Sequence, residues 1–280
     1  MVKSALQAGK HVVVEKPFVP TAAEASELCT LASQTGRKLA VYQNRRWDAD
    51  FVTLKSVLAS GELGDIAEFE THFDRHRPDP PADTWKVKEA PGNGAIYDLG
   101  THLIDQVYAL YGLPQRVTGF VGYQRRGVTE GAHDSCTVLL HYDDERQMLA
   151  TVKAGVVSAE VEQLRFWVRG TKGSFKKFHL DPQEEQLKGA KAGAALPGDF
   201  GVEAEGRAAS VTVVGEDGKL ERKTWETVSP PPTYVEYYRL FGKAVAGEGE
   251  VPVKAEEARD VLRIVEAALL SSREGRSVSL

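Results

Sequence analysis

The chain has 280 residues, 42% of them hydrophobic and 27% charged, a composition that predicts a globular protein with a substantial core. Its net charge of -5 gives no basic footprint for nucleic acid or for an anionic membrane surface. No apolar run approaches the roughly 20 residues of a membrane span, and the two cysteines, Cys29 and Cys136, do not amount to a disulfide framework. We therefore expect a cytoplasmic protein that binds neither nucleic acid nor membrane.

Residues 1–10 have the pattern of the last turns of a helix. Gly9 ends this helix, and no N-cap residue begins it. The β-branched run over residues 11–15 then predicts a buried strand, which Pro17 ends because proline has no N–H to donate. This abrupt start leads us to expect that earlier strand–helix units are missing. Lys16 follows the strand, at the edge where open parallel sheets bind ligands.

A strand–helix–strand unit comes next. Thr21 begins a helix that Gly36 ends, and residues 38–43 predict another strand. Such a unit, in about 30 residues, favours a parallel sheet. Residues 44–48 follow at the same sheet edge as Lys16, where an arginine and an indole either border a cofactor or substrate or lie in a solvated loop with one packed ring.

The pattern changes after residue 60. Residues 66–73 alternate between apolar and polar, as in a half-buried strand of an antiparallel sheet. We therefore expect a domain boundary near residues 61–65, which divides the chain into residues 1–62 and 63–280. A proline-rich loop and a helix over residues 95–111 follow, then six candidate strands between Arg116 and Val214 and two closing helices.

Asp98 and His102 are four residues apart, on one face of the predicted helix. A carboxylate beside an imidazole orients the ring and raises its basicity, as a general base requires, although the pair could equally be a surface pair of little consequence. No third His, Asp or Glu at a recognised spacing supports a metal site. Neither G-x-G-x-x-G nor a P-loop motif occurs, so no segment is predicted to hold a pyrophosphate.

Two of these segments resemble the signatures of one protein family. Residues 9–17 (GKHVVVEKP) are similar to the "AGKHV…EKP" signature of the glucose–fructose oxidoreductase/inositol dehydrogenase/MocA family. Residues 94–105 (GAIYDLGTHLID) resemble its second signature, "GG…DxGxHxxD". More narrowly, residues 44–51, 72–78 and 170–187 resemble the NADP-dependent scyllo-inositol dehydrogenase-like subgroup.

The resemblance implies a fold of class α/β plus α+β. Residues 1–62 would be the C-terminal part of a Rossmann NAD(P)-binding domain, a parallel-sheet remnant that lacks its first βαβ units. Residues 63–280 would form a large, mostly antiparallel open-sheet domain that binds substrate and makes a homo-oligomer, a dimer or tetramer, through its outer face.

The implied reaction is hydride transfer between a hydroxyl-bearing carbon of a sugar or cyclitol and the nicotinamide of NADP or NAD. By matching position, Lys16 would bind the substrate hydroxyl and assist proton movement, His102 would be the general acid/base, and Asp98 would orient His102 and bind a hydroxyl. The cofactor-binding residues would be Glu15, Lys16, Pro17, Arg46 and Trp47. The further substrate-binding candidates are His72, Arg75, Trp85 and Asn93, together with Asp98.

Two other functions remain open at this stage. Without a glycine-rich unit, the chain would be a non-catalytic, sugar-sensing or dimerisation module. Alternatively, Lys16 and His102 could move protons without a hydride acceptor, as in a cofactor-independent lyase or isomerase. An in-frame G-x-G-x-x-G upstream of Met1 would favour the dehydrogenase.

Overall fold

The computed structural model of the protein describes residues 1–79, 88–128, 130–143, 145–191 and 193–280. Within these ranges the helices are α1 (Val2–Gln7), α2 (Ala22–Thr35), α3 (Ala49–Ser60), α4 (Thr101–Tyr111), α5 (Gln183–Gly189), α6 (Tyr234–Val245) and α7 (Ala255–Glu274). The strands are β1 (Val12–Glu15), β2 (Leu39–Tyr42), β3 (Ile66–Asp74), β4 (Arg116–Gly122), β5 (Ser135–Tyr142), β6 (Met148–Gly155), β7 (Leu164–Gly170), β8 (Gly173–Phe178), β9 (Ala209–Val214), β10 (Leu220–Trp225) and β11 (Val278–Ser279).

The N-terminal unit is a small parallel sheet. Strands β1 and β2 pair with Val12 opposite Leu39, and α2 connects them. The Thr21 hydroxyl accepts the amide of Glu24 at 3.2 Å and so caps α2, while Gly36 ends the helix in the left-handed conformation. The predicted βαβ unit is therefore confirmed, and Lys16 lies directly after β1.

The second unit is a large sheet, which in the described residues has the strand order β10-β9-β8-β7-β3-β6-β5-β4-β11. Each neighbouring pair is antiparallel except β3 and β6, which run parallel. On one face of this sheet, α4 covers Phe69 and Phe73 of β3 and α7 packs on β4. The core on this face is continuous with that of the small sheet. The predicted fold class, a small parallel sheet followed by a mostly antiparallel one, is confirmed.

Helix α3 connects the two units. Its Phe51 ring lies 6.4 Å from that of Phe166 in β7, so the helix packs on the large sheet. Its first amide, at Ala49, donates to the Asp181 carboxylate at 2.7 Å. No helix in the described part of the chain combines the length and hydropathy needed to cross a membrane.

Candidate active site

The candidate site begins where β1 ends. The Lys16 ammonium Nζ donates hydrogen bonds to the backbone carbonyl of Asp98 at 2.7 Å and to its carboxylate at 3.2 Å. The Lys16–Pro17 peptide is cis, and the Lys16 side chain keeps 18% of its surface exposed. The structure thus joins two predicted site residues that are 82 positions apart in the sequence.

Asp98 lies in a π-helical turn, Ile96–Gly100, which leads directly into α4. The turn begins at Gly94, whose φ of +102° strongly favours glycine, and the Asp98 amide donates to the Gly94 carbonyl at 2.9 Å. The sequence predicted one regular helix here. Because π-helical turns occur frequently at functional sites, the departure supports the assignment of this segment to the site.

His102 lies in the first turn of α4 and is only 7% exposed. Its ring packs on Phe73, with ring centroids 6.2 Å apart, and its buried Nδ1 has no hydrogen-bond partner among the residues that the structure describes. The pKa of His102 is well below its ordinary value because burial disfavours the charged ring, and because Lys16 and several arginines add positive charge nearby.

The expected pairing of Asp98 with His102 is not seen. The hydrogen bonds that the structure gives between described residues join the Asp98 carboxylate to Lys16 instead. Asp98 has a half-exposed side chain, whereas His102 points into the core against Phe73. The charge of Lys16 is nevertheless among the causes of the lowered pKa of His102, which indicates that the ring lies near the Lys16–Asp98 contact.

Two buried arginines contact the Phe73 ring on which the imidazole packs, and neither was singled out from the sequence as a site residue. The Arg165 guanidinium is fully buried and lies 4.6 Å from the centroid of the Phe73 ring, and that of Arg45 lies 4.8 Å from the same centroid. Gln106 joins them, since its Oε1 accepts from Arg165 at 2.7 Å and its Nε2 donates to the Arg45 carbonyl at 2.7 Å. Arg45 and Arg165 therefore place two buried positive charges close to His102, and we call this pair of arginines the cationic floor of the site.

An arginine within an apolar strand is the one weak signal in the sequence for this floor. The pairing of β7 with β8 shifts register between Leu164 and Phe166. Arg165 and Phe166 are both buried as a result, which strict alternation along a strand would not predict.

The predicted cofactor residues lie in two places. Glu15 and Pro17 flank Lys16 at the end of β1. The Arg46 guanidinium makes two hydrogen bonds of 2.8 Å to Asp105 of α4 and one of 2.8 Å to Glu257 of α7.

The indole of Trp47 lies 5.5 Å from the Tyr237 ring. Both Arg46 and Trp47 line a cleft of about 750 Å³ that the three prolines at residues 230–232 also line. Lys16, Asp98 and His102 do not line this cleft. The assignment of Arg46 and Trp47 to the cofactor therefore stays a prediction.

The substrate-binding candidates also divide. Arg75 continues the face of β3 that carries Phe73, and burial, followed by the charge of Arg77, lowers its pKa, with Asp98 among the nearby charges. His72 points to the opposite face of the sheet, where its ring contacts the carboxylates of Asp74 at 2.9 Å and Glu70 at 3.2 Å. The structure thus places Arg75 near the site and His72 away from it.

Asn93 lies in the loop before the π-helical turn, where its side-chain amide donates to the Lys88 carbonyl at 3.1 Å. Trp85 lies outside the described residues. Among the residues that the structure describes, no group of three or more His, Cys, Asp or Glu side chains could hold a metal ion.

Comparison with known proteins places the chain in a family. Residues 1–43 match the family described as "Oxidoreductase family, NAD-binding Rossmann fold", and residues 51–176 match "GFO/IDH/MocA C-terminal domain". An uncharacterized oxidoreductase of Schizosaccharomyces pombe is 41% identical over 289 residues, which cover 100% of this chain and 77% of that protein. The chain belongs to the Gfo/Idh/MocA oxidoreductase family.

Two further Gfo/Idh/MocA relatives bear on function and fold. The chain is 35% identical to the scyllo-inositol 2-dehydrogenase (NADP(+)) IolW of Bacillus subtilis, with 98% of this chain and 74% of IolW covered. A solved structure, the putative oxidoreductase yvaA of Bacillus subtilis, superposes with a TM-score of 0.90 at 34% identity, covering 100% of this chain and 76% of that one. The predicted family and its dehydrogenase activity are confirmed, and the comparisons do not favour a regulatory module or a lyase.

Proposed function

We propose that this chain acts on a sugar or cyclitol, oxidising one hydroxyl-bearing carbon or reducing the matching carbonyl with NADP or NAD. The observation that carries the proposal is the contact of the Lys16 ammonium with Asp98, one turn before the buried His102. The similarity to a scyllo-inositol dehydrogenase supports a polyol of that kind. The chemistry that a bound nicotinamide supplies is the uptake or release of a hydride.

The three side chains divide the work on the alcohol. Lys16 donates a hydrogen bond to the reacting oxygen, and Asp98 accepts one from a hydroxyl of the substrate. His102, whose lowered pKa keeps it neutral, can accept the hydroxyl proton when the alcohol is oxidised and return it in the reverse direction. Arg75 is the further substrate-binding candidate, since its charge faces Asp98.

The donor set fits the nicotinamide end of a dinucleotide. Removing a hydride from an alcohol leaves one proton to be moved, and the site offers an amine and a neutral imidazole to move it. Glu15, Lys16 and Pro17 would hold this end of the cofactor at the edge of the parallel sheet, where such ligands bind. No G-x-G-x-x-G loop occurs in the 280 residues, so we assign the pyrophosphate to no residue of this chain.

Domain organisation and assembly are part of the same proposal. Residues 1–62 would serve the cofactor, and residues 63–280 would bind the substrate and form a homo-oligomer in the cytoplasm. The exposed Phe120 of β4, with 62% of its surface accessible, supports a partner on the sheet face that turns away from α4 and α7. Light scattering on the purified chain measures its mass, and a monomer at all concentrations would contradict this part of the proposal.

The activity is tested by following nicotinamide absorbance with NADP⁺ or NAD⁺ and a panel of inositols and aldoses. We expect Lys16→Ala and His102→Gln each to lower kcat at least about a hundredfold, the scale of a lost acid–base group. Lys10→Ala removes an exposed lysine from the turn before β1 and should leave kcat unchanged. Full activity in both site variants would contradict the residue assignment, and no calorimetric binding of either cofactor would contradict the proposed reaction for this chain.

A further inference from the structure

The floor of the site carries two fixed positive charges close to the candidate base. Both the Arg45 and the Arg165 guanidinium lie over the ring of Phe73, and the imidazole of His102 packs on the same ring. The arginines are 6% and 0% exposed, so little water screens them. Their charge therefore acts on His102 through a low-dielectric interior.

Each guanidinium is held in place by several partners. Arg165 donates to Asp50 at 3.0 Å, to the Thr71 hydroxyl at 2.8 Å and to Gln106. Arg45 forms ion pairs with Asp48 at 3.2 Å and with Glu184 of α5. These partners hold both guanidinium groups, so we assign their effect on His102 to their charge and not to substrate binding.

The cations that lower the pKa of His102 are Lys16 after β1, Arg75 after β3, and the two arginines themselves. The carboxylates around this site are each paired with a cation. Asp98 of the π-helical turn binds Lys16, Asp48 and Glu184 bind Arg45, Asp50 binds Arg165, and Asp105 of α4 binds Arg46. The buried Nδ1 of His102 contacts none of them.

We propose that Arg45 and Arg165 are positioning residues that add to burial and to the charge of Lys16 in favouring the uncharged form of the His102 imidazole in the free enzyme, which is the form that can take a proton from an alcohol. In this proposal they act through their charge. This inference rests on the proposed function for its purpose, because an imidazole that is already protonated cannot serve as the base. Its physical content, the state of His102, can be measured without cofactor or turnover.

The test is a histidine NMR titration of the 280-residue chain, with the His102 ring signal assigned by its loss in His102→Gln. We expect the wild-type signal to show no titration near the ordinary midpoint of about 6.5. In Arg165→Met the midpoint should rise by about one pH unit, a tenfold gain in proton affinity. Arg165→Lys keeps the charge and should restore the low midpoint.

A second variant separates charge from folding. Asp50→Asn keeps an acceptor for Arg165 but removes the anion that offsets it, so the His102 midpoint should stay low or fall further. If Arg165 had a purely structural role, Arg165→Met and Asp50→Asn would shift the His102 midpoint in the same direction. If Arg165→Met does not fold, Arg45→Met and Arg45→Lys provide the same comparison at the other guanidinium.

A wild-type His102 that titrates near 6.5, or equal midpoints in the Met and Lys variants of both arginines, would overturn the proposal. The two hypotheses can fail separately. If the chain oxidises no polyol but the midpoints shift as expected, the proposed function is wrong and the positioning role stands. If the chain is active and the midpoints do not move, the positioning role is wrong.

Discussion

Replacing Arg46 with methionine tests whether this residue holds the fold together. Its guanidinium makes two 2.8 Å bonds to Asp105, and the two side chains are 13% and 2% exposed. Removing one partner of such a buried pair costs about 3–5 kcal/mol because the other charge stays buried and uncompensated. The additional pair with Glu257, which is 31% exposed, contributes at most about 1 kcal/mol. We therefore expect Arg46→Met to lower the free energy of unfolding by about 3–5 kcal/mol.

The loss should depend on pH in a defined direction. Burial raises the pKa of Asp105 even in the wild type, and Arg46 opposes that rise. Without Arg46 the folded-state pKa of Asp105 rises further, whereas its unfolded value stays near 3.9. The pH-dependent part of the destabilisation is therefore absent where Asp105 is protonated in both folded proteins. It grows as the pH passes the folded-state pKa of the wild type and levels off above the folded-state pKa of the variant.

Urea unfolding at several pH values measures this effect, with Arg37→Met as the matched control because Arg37 is exposed. The double variant Arg46→Met with Asp105→Leu removes both charges and should recover most of the lost stability. An Arg46→Met protein as stable as the Arg37→Met control would refute the reasoning. If its cofactor affinity also fell tenfold while its stability was unchanged, Arg46 would belong to the cofactor site.

Two other predictions concern packing and burial. Gly119 of β4 lies against α7, and a Cβ there would come within 2.2 Å of the Ala268 carbonyl oxygen. Gly119→Ala should therefore lower the free energy of unfolding in urea by about 1–3 kcal/mol or more. A Cβ at Gly122 on the same strand meets nothing within 4 Å, so Gly122→Ala should cost much less, and equal losses would contradict the close approach. Burial raises the pKa of Cys29 to about 11 and that of Cys136 to about 12, so neither thiol should react with a disulfide reagent at about pH 8 until the chain is unfolded.

The parts of the fold that the sequence predicted are those set by local patterns. The caps at Thr21 and Gly36 and the β-branched run before Pro17 define a βαβ unit within a few tens of residues. The pairing of β3 between β6 and β7 depends on contacts between segments far apart in the chain, which no local pattern encodes. Helix α5 and strand β10 were missed because one is short and the other is largely exposed and lacks an apolar face.

The candidate site shows the same division. Lys16, Asp98 and His102 were predicted because a strand end and a helical spacing bring chemistry-bearing residues to recognisable positions. The burial of Arg165 was not predicted because a register shift in β7 turns it inward beside Phe166. Irregular backbone of this kind changes which face a side chain occupies, so the alternation that predicts strands conceals residues at a bulge.

The distribution of charge around His102 includes these buried arginines. A carboxylate beside His102 would raise its basicity, and the spacing of Asp98 suggested such a pair. The structure instead commits Asp98 to Lys16 and surrounds the imidazole with cations, which favours its neutral form. A neutral imidazole can accept a proton, whereas an imidazolium cannot. Burial and the charge of Lys16 come first among the causes of this preference, and we propose that the two arginines that contact Phe73 add to it.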